Sequence, residues 1–384
     1  MQRALARIDV AAIERNCARL AQVAAPAALC AVVKADGYGH GAVPAARAAL
    51  AGGATWLAVA TADEAAQLRT ARIGGRILVM GALSGPELTV ALEACADVVA
   101  WREGFVAALA EHSAADGAAV HVKLDTGMGR LGTRDPEEAT RTAAAVAAAP
   151  RLRLAAAMTH FATADDDPAF ALEQLARFSA WTEPLQAAHG PLLLHAANSA
   201  ATLGIPEARL GMVRCGIAAY GLDPFGEDAR RHGLAPALEL RSYLAEVKPI
   251  AAGESAGYGR RFVARAPTWI GTIPIGYADG VRRALTNDCD VLIDGRRVPL
   301  VGTVSMDNVT VDLGPEPPAR GAPVVLIGAQ GGEEVPAEEW ARRLGTINYE
   351  ITCALTARVP REHHRGTAEG SESVPREHHR GAAA

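Results

Sequence analysis

Aromatic side chains are scarce: Phe, Trp and Tyr together make up 4% of the 384 residues. The hydrophobic half of the chain must therefore build its core from aliphatics, with alanine prominent among them. The six cysteines, Cys17, Cys30, Cys95, Cys215, Cys289 and Cys353, form no CxxC pair. Scattered single thiols predict free, mostly buried cysteines in a reducing compartment, so a cytoplasmic location is expected. The formal net charge of −5 comes with no long basic run, which argues against nucleic acid as a partner. No apolar run reaches transmembrane length, and the first sixteen residues lack the uninterrupted apolar stretch of a secretory signal. Membranes are thus not expected as partners either. A GxGxxG turn after the first strand is also missing, which disfavours an open doubly wound sheet.

The chain is instead ordered by alternation. Short apolar runs recur at Leu29–Lys34, Trp56–Ala60, Arg76–Gly81, Asp97–Trp101, Ala119–Leu124, Leu154–His160, Leu192–His195 and Met212–Cys215. Between them lie stretches of good helix formers such as Ala62–Arg72 and Pro168–Ala187. Eight such units in series predict an α/β fold, a TIM-like (β/α)8 barrel over residues 1–230, with Ala4–Val10 as an extra strand outside it. After Asp223 the texture changes to short alternating runs separated by Gly, Pro, Asp and Asn, from Leu238–Val247 to Pro323–Ile327. This predicts a mainly β domain over residues 231–361, with one helical segment at Pro336–Leu344. The octapeptide VPREHHRG occurs at Val359–Gly366 and again at Val374–Gly381. Its composition reads as a disordered repeat tail over residues 362–384, rather than as a metal site.

A barrel places its chemistry at the carboxyl ends of its strands, and the unusual polar residues sit there. Lys34 ends the first run, and Lys123 lies near the end of the fifth, with Asp125 and Arg130 following. His160 ends the sixth, His195, Asn198 and Ser199 close the seventh, and Arg214 lies on the eighth. One charged residue at a strand end is ordinarily a solvated or snorkelling group. Their joint placement predicts a pocket in which the Lys34 amine is partly desolvated and serves as nucleophile or base.

The stretch VVKADGYGHG around Lys34 resembles the cofactor-lysine signature of alanine racemases, pyridoxal phosphate (PLP) enzymes of fold-type III. Eight further segments match that family in order: KLDTGMGRLG (Lys123–Gly132), MTHFA (Met158–Ala162), HAANSAA (His195–Ala201), RCGIAAYG (Arg214–Gly221), GYGRRF (Gly257–Phe262), GYADGVRR (Gly276–Arg283), GTVSMDNVTVDLG (Gly302–Gly314) and NYEITC (Asn348–Cys353). The departures are small: Gly37 stands where many relatives have alanine, and Ala219 where a larger aliphatic is common.

The resemblance implies an isomerase that interconverts L- and D-alanine, for peptidoglycan synthesis or for alanine catabolism. It implies that Lys34 carries PLP as a Schiff base and is one of two bases. The phosphate would be held by Tyr38, Ser199, the backbone of Gly216 and Ile217, and Tyr349. Asn198 and Ser199 would start a short helix whose N–H groups face that anion. Arg214 would face the pyridine nitrogen, oriented by His195, with His160 between Arg214 and the second base. Arginine cannot accept that nitrogen's proton, so the ring would be a weakened electron sink. The second base would be Tyr258, contributed with Met306 and Asp307 by the other subunit of a head-to-tail homodimer. Arg130 would contact the substrate carboxylate, Lys123 would be carbamylated as in some family members, and Tyr349 and Tyr277 would narrow the entrance to favour alanine. Two other classes share parts of this pattern. A PLP-carrier protein would end with the barrel, and a fold-type III decarboxylase would place an acidic residue where Arg214 stands.

Overall fold

The computed structural model describes residues 2–112 and 114–366. Strands β2 (Ala28–Val32), β3 (Trp56–Val59), β4 (Arg76–Val79), β5 (Asp97–Ala100), β6 (Ala118–Lys123), β7 (Leu152–Met158), β8 (Leu193–His195) and β9 (Met212–Cys215) are all parallel and close into a barrel through the pairing of β2 with β9. The strands are short and aliphatic because both their faces are covered: every residue of β3 and of β5 is buried. Leu57, Ile77 and Leu78 are fully enclosed, and truncating such a side chain to alanine costs about 2–5 kcal/mol.

The surrounding helices start where their sequences provide caps. Thr61 and Glu64 form a reciprocal capping box ahead of Ala62–Thr70. Asp135 and Asp167 cap Pro136–Ala148 and Pro168–His189, each with proline in the first turn.

The first strand, β1 (Leu5–Asp9), leaves the barrel to join the second domain, as the sequence led us to expect. That domain is a largely antiparallel sheet built from β10 (Leu238–Tyr243), β11 (Glu246–Ile250), β14 (Thr268–Ile273), β15 (Asp290–Ile293), β16 (Arg296–Val301), β17 (Val309–Gly314), β18 (Pro323–Gln330), β19 (Glu333–Val335) and β20 (Arg361–His364). Two short strands, β12 (Ser255–Ala256) and β13 (Phe262–Val263), pair with each other apart from it. The main order is β11-β14-β17-β16-β15-β18-β10-β1-β20. Along β10 and β17, buried and half-buried residues alternate, the mark of a sheet with one packed face. The run read as one strand, Leu238–Val247, is two, because β10 ends at Tyr243 beside β18 while β11 starts at Glu246 and pairs instead with β14.

The tail differs from its expectation. Residues 362–364 lie in β20, which pairs in parallel with β1, and the Gly366 N–H donates to Asp9 Oδ1 at 2.9 Å. Arg361 donates to the carbonyls of Gly39, Leu355, Thr356 and Val359, and His363 Nε2 donates to the His40 carbonyl at 2.8 Å. The bonds to Gly39 and His40 join residues some 320 apart in sequence, so a polar repeat is fixed by long-range bonds that its own composition cannot announce. The rest of the expected tail lies outside the described residues. Among the described residues no helix is long and apolar enough to cross a membrane.

Candidate active site

The carboxyl end of β2 leads into an unusual turn. Segment α2 (Lys34–Tyr38) is a single left-handed helical turn: Ala35, Asp36, Gly37 and Tyr38 have φ of 52°, 50°, 61° and 54°. Each non-glycine residue there costs about 1–2 kcal/mol, so the turn must be held from outside. Glu64 does this on one side, its carboxylate accepting from the Ala35 N–H at 2.6 Å and from the Ala60 N–H at 2.8 Å. Asp36 accepts from the Ala42 N–H at 2.8 Å, and Arg361 and His363 hold the carbonyls of Gly39 and His40. The turn presents Lys34 and Tyr38 to a cavity of about 490 Å³ at the mouth of the barrel.

Lys34, Tyr38, Lys123, Arg130, His160, Asn198, Ser199, Arg214, Gly216, Ile217 and Tyr349 all line this cavity. Burial, followed by the charge of Arg130, lowers the Lys34 pKa, which favours the neutral amine. Lys123 is pulled down to about 8, again by burial first and then by Arg214 and Arg130. Burial and the Arg214 charge hold His160 well below an ordinary histidine.

One wall gathers hydrogen-bond donors. Ser199 Oγ accepts from the N–H of Gly216 at 3.0 Å, and Asn198 caps its helix through the Ala201 N–H at 2.9 Å. A side chain at Gly216 would put its Cβ 2.3 Å from the Tyr38 hydroxyl, so only glycine lets the backbone and that hydroxyl converge. Tyr38 lies between Tyr220 and Tyr349, with ring centroids 5.2 and 5.9 Å away.

At the floor, Arg214 is buried, with Nη1 2.8 Å from His195 Nδ1 and Nη2 3.2 Å from His160 Nδ1. Nη2 also donates to the Thr159 and Ala196 carbonyls. Burial lowers the guanidinium pKa to about 10, which leaves it charged at neutral pH. Among the described residues, no hydrogen bond uses its Nε–H.

The family model for the alanine racemase N-terminal domain matches residues 8–224, and that for the C-terminal domain matches residues 237–363. Alanine racemase 1 of Bacillus subtilis is 41% identical over 360 residues, covering 93% of this chain and 92% of that protein. The chain belongs to the alanine racemase family. The alanine racemase of Thermobifida fusca is 42% identical over 363 residues, covering 93% and 96%. Two crystal structures share the architecture. The enzyme from D-cycloserine-producing Streptomyces lavendulae superposes with a TM-score of 0.90 at 37% identity over 96% of this chain and 98% of its own. The enzyme from E. faecalis gives 0.88 at 39% identity over 94% and 98%.

Within one chain of this alanine racemase fold, the expected site divides in two. The barrel residues converge on the cavity, and His195 stands behind Arg214 without lining it. Tyr258, Tyr277, Met306 and Asp307 do not line the cavity of their own chain. Tyr258 is 74% exposed, and Asp307 pairs with Arg358 at 2.7 Å. Sequence reasoning missed Glu64, although its signal was present in the capping-box spacing from Thr61. It also missed His121 and Asp97, which continue the hydrogen bonds behind His195 and give no local signal.

Proposed function

We propose that the chain interconverts L- and D-alanine using PLP held on Lys34, with Tyr258 of a second copy as the opposing base. The observation that carries this reading is the chemistry of the cavity's donor set. A partly desolvated amine, an anion-binding wall and a fixed cation open onto one space, and these match the aldehyde, the phosphate and the pyridine nitrogen of PLP. Tyr38, Ser199, Tyr349 and the backbone of Gly216 and Ile217 would hold the phosphate. The spare Nε–H of Arg214 suits a pyridine nitrogen that accepts a hydrogen bond and stays unprotonated.

PLP, when bound, supplies an electron sink that acidifies the hydrogen on the α carbon of the amino acid. The residues of the chain then control which face loses the proton. Lys34 Nζ, with its lowered pKa, holds or releases a proton on its own side. Tyr258 does the same on the opposite face, so that removal on one side and delivery on the other invert the centre. Arg214 cannot take up a proton from the ring, which limits charge build-up there and so limits side reactions. Arg130 binds the substrate carboxylate. Lys123, with a pKa near 8, has enough neutral amine to take up CO₂, and the resulting carbamate would brace Arg130. Tyr349 and the second copy's Tyr277 would restrict the entrance to a methyl side chain.

The supply of Tyr258, Met306 and Asp307 in trans is supported by their exposure on the β domain and by their absence from the lining of their own chain's cavity.

The test is incubation of the purified protein with PLP and L-alanine in deuterated water. D-alanine carrying deuterium at the α carbon is the expected product. Ethylamine would indicate a decarboxylase, and a bound cofactor without turnover would indicate a carrier; either overturns the proposal.

A further inference from the structure

Five polar side chains run in line through the inside of the barrel, and only the last of them reaches the cavity. Arg76, at the start of β4, donates to Asp97 Oδ2 at 2.6 Å. The same oxygen lies 3.1 Å from His121 Nε2. His121 Nδ1 lies 2.9 Å from His195 Nε2, and His195 Nδ1 lies 2.8 Å from Arg214 Nη1. Both imidazoles are completely buried.

The protons follow by elimination. Arginine only donates, so His195 Nδ1 accepts. Burial and the Arg214 charge keep His195 neutral, with its pKa well below the ordinary value. Its one N–H is therefore on Nε2 and donates to His121 Nδ1. His121, whose pKa burial lowers against the opposing pull of Asp97, carries its one N–H on Nε2 and donates to the carboxylate. Every bond in the line from Arg214 to Asp97 points the same way.

Arg214 needs such a line. It is a buried cation whose direct partners are two neutral histidines and two backbone carbonyls, with no carboxylate among them. A buried charge without compensation is strongly disfavoured, whereas aligned hydrogen bonds polarise one another in a low dielectric. The far end is also built. The Arg76 guanidinium sits 3.8 Å from the Trp56 ring centroid, and the edge of the same indole meets the His121 ring at 5.5 Å.

We propose that Asp97 is a positioning residue for Arg214: acting through His121 and His195, its carboxylate fixes both imidazole tautomers and supplies the counter-charge that holds the guanidinium in place under the cavity. The tautomers stand on the geometry of the chain itself, while any effect on turnover rests on the proposed contact between Arg214 and PLP.

The experiment uses the full chain labelled with 15N-histidine, with long-range 1H–15N correlations recorded before and after loading with PLP. Resonances are assigned from His121→Gln and His195→Gln. In the parent protein both rings should be neutral Nε2–H tautomers. Asp97→Asn keeps the size and an acceptor oxygen but removes the charge, and Asp97→Leu removes both.

Asp97→Leu should move His121 out of its single tautomer and shift the His195 resonances, although His195 does not touch residue 97. Asp97→Asn should keep the tautomers and shift His195 part of the way. In the loaded protein, both variants should shift the cofactor absorption band and lower kcat several-fold, with KM for alanine little changed. If Asp97→Leu fails to fold, Asp97→Asn carries the decision. A His195 that is cationic or Nδ1–H in the parent overturns the proposal. So do His195 resonances and a cofactor band that stay put in every variant that folds. If the parent takes up no PLP, the proposed function fails, and the tautomers measured in the unloaded chain still decide this inference.

Discussion

The barrel mouth and the tip of the β domain hold their functional candidates in opposite ways. At the mouth the polar groups are enclosed, and enclosure changes their chemistry: Lys34, Lys123, His160 and Arg214 all have pKa values lowered first of all by burial. At the tip, Tyr258, Met306 and Tyr277 are 74%, 51% and 41% exposed. The tip is nonetheless built. Thr303 Oγ1 donates to the Tyr258 carbonyl at 2.7 Å, and the N–H groups of Tyr277 and Ala278 donate to the Ser305 and Met306 carbonyls at 3.0 and 3.1 Å. Backbone hydrogen bonds thus fix a surface of bare aromatic and thioether side chains, which suits the second copy proposed above. One region gathers its polar groups into a cavity within the chain, and the other holds its groups away from that cavity, as the proposed sharing of Tyr258 between copies requires.

The sharpest way to break this comparison is at Lys34. Lys34→Ala would remove both the proposed cofactor anchor and one proposed base, and kcat should fall by more than about 10⁴-fold. The cofactor absorbance should be lost on dialysis while the thermal midpoint holds. Tyr258→Phe, on the exposed side, should lower kcat by about 10²–10⁴-fold, again without a change in melting. Mixing these two inactive chains tests the sharing directly. Random pairing gives half mixed dimers, each with one intact site, so about a quarter of the parent activity should return. No recovery under conditions of subunit exchange would mean that Tyr258 does not act across subunits.

Gly216→Ala probes the enclosed side more gently. Its Cβ would meet the Tyr38 hydroxyl at 2.3 Å and force the ring aside, so the Kd for PLP, read by titration, should rise at least about tenfold.

Asp279 probes the exposed side, because it accepts from the Gly276 N–H at 2.9 Å and so braces the loop that bears Tyr277. Burial alone would raise its pKa, but Arg3, the Gly276 N–H and Arg358 outweigh burial and lower it. A carboxylate with a depressed folded pKa adds stability above its unfolded pKa of about 3.9, and that stability is lost as the pH falls through the folded value. Asp279→Asn removes charged hydrogen bonds whose cationic partners, Arg3 and Arg358, stay partly in solvent, so it should cost about 1–3 kcal/mol at neutral pH, and the gap to the parent in thermal melts should close in acid.

The smallest effect is expected at Lys123. With a pKa near 8, its neutral fraction grows as the pH rises through that value. Native mass spectrometry in bicarbonate should then show a growing fraction with the mass of one added CO₂, absent in Lys123→Ala.

The barrel was legible because short apolar runs alternate with stretches of helix formers, and the β domain because its runs alternate between apolar and polar residues. At the site, Lys34, His160, Ser199 and Arg214 could be read from their place at strand ends. The left-handed geometry of α2 could not be read in this way, because only one of its four left-handed residues is a glycine. It is imposed from outside, by Glu64, Arg361 and His363. The same limit hid β20, whose hydrogen bonds run to the other end of the chain, and it hid Asp97, whose link to the cavity passes through two histidines on other strands.

The clamp on α2 has a consequence for how the protein is made. Arg361 and His363 are synthesised more than three hundred residues after the turn they hold. A nascent chain on the ribosome can close the barrel before these residues emerge, yet it then lacks two of the bonds that help offset the cost of three left-handed non-glycine residues. The lysine loop therefore gains its full set of supporting bonds only after the edge strand β20 has been made and has docked.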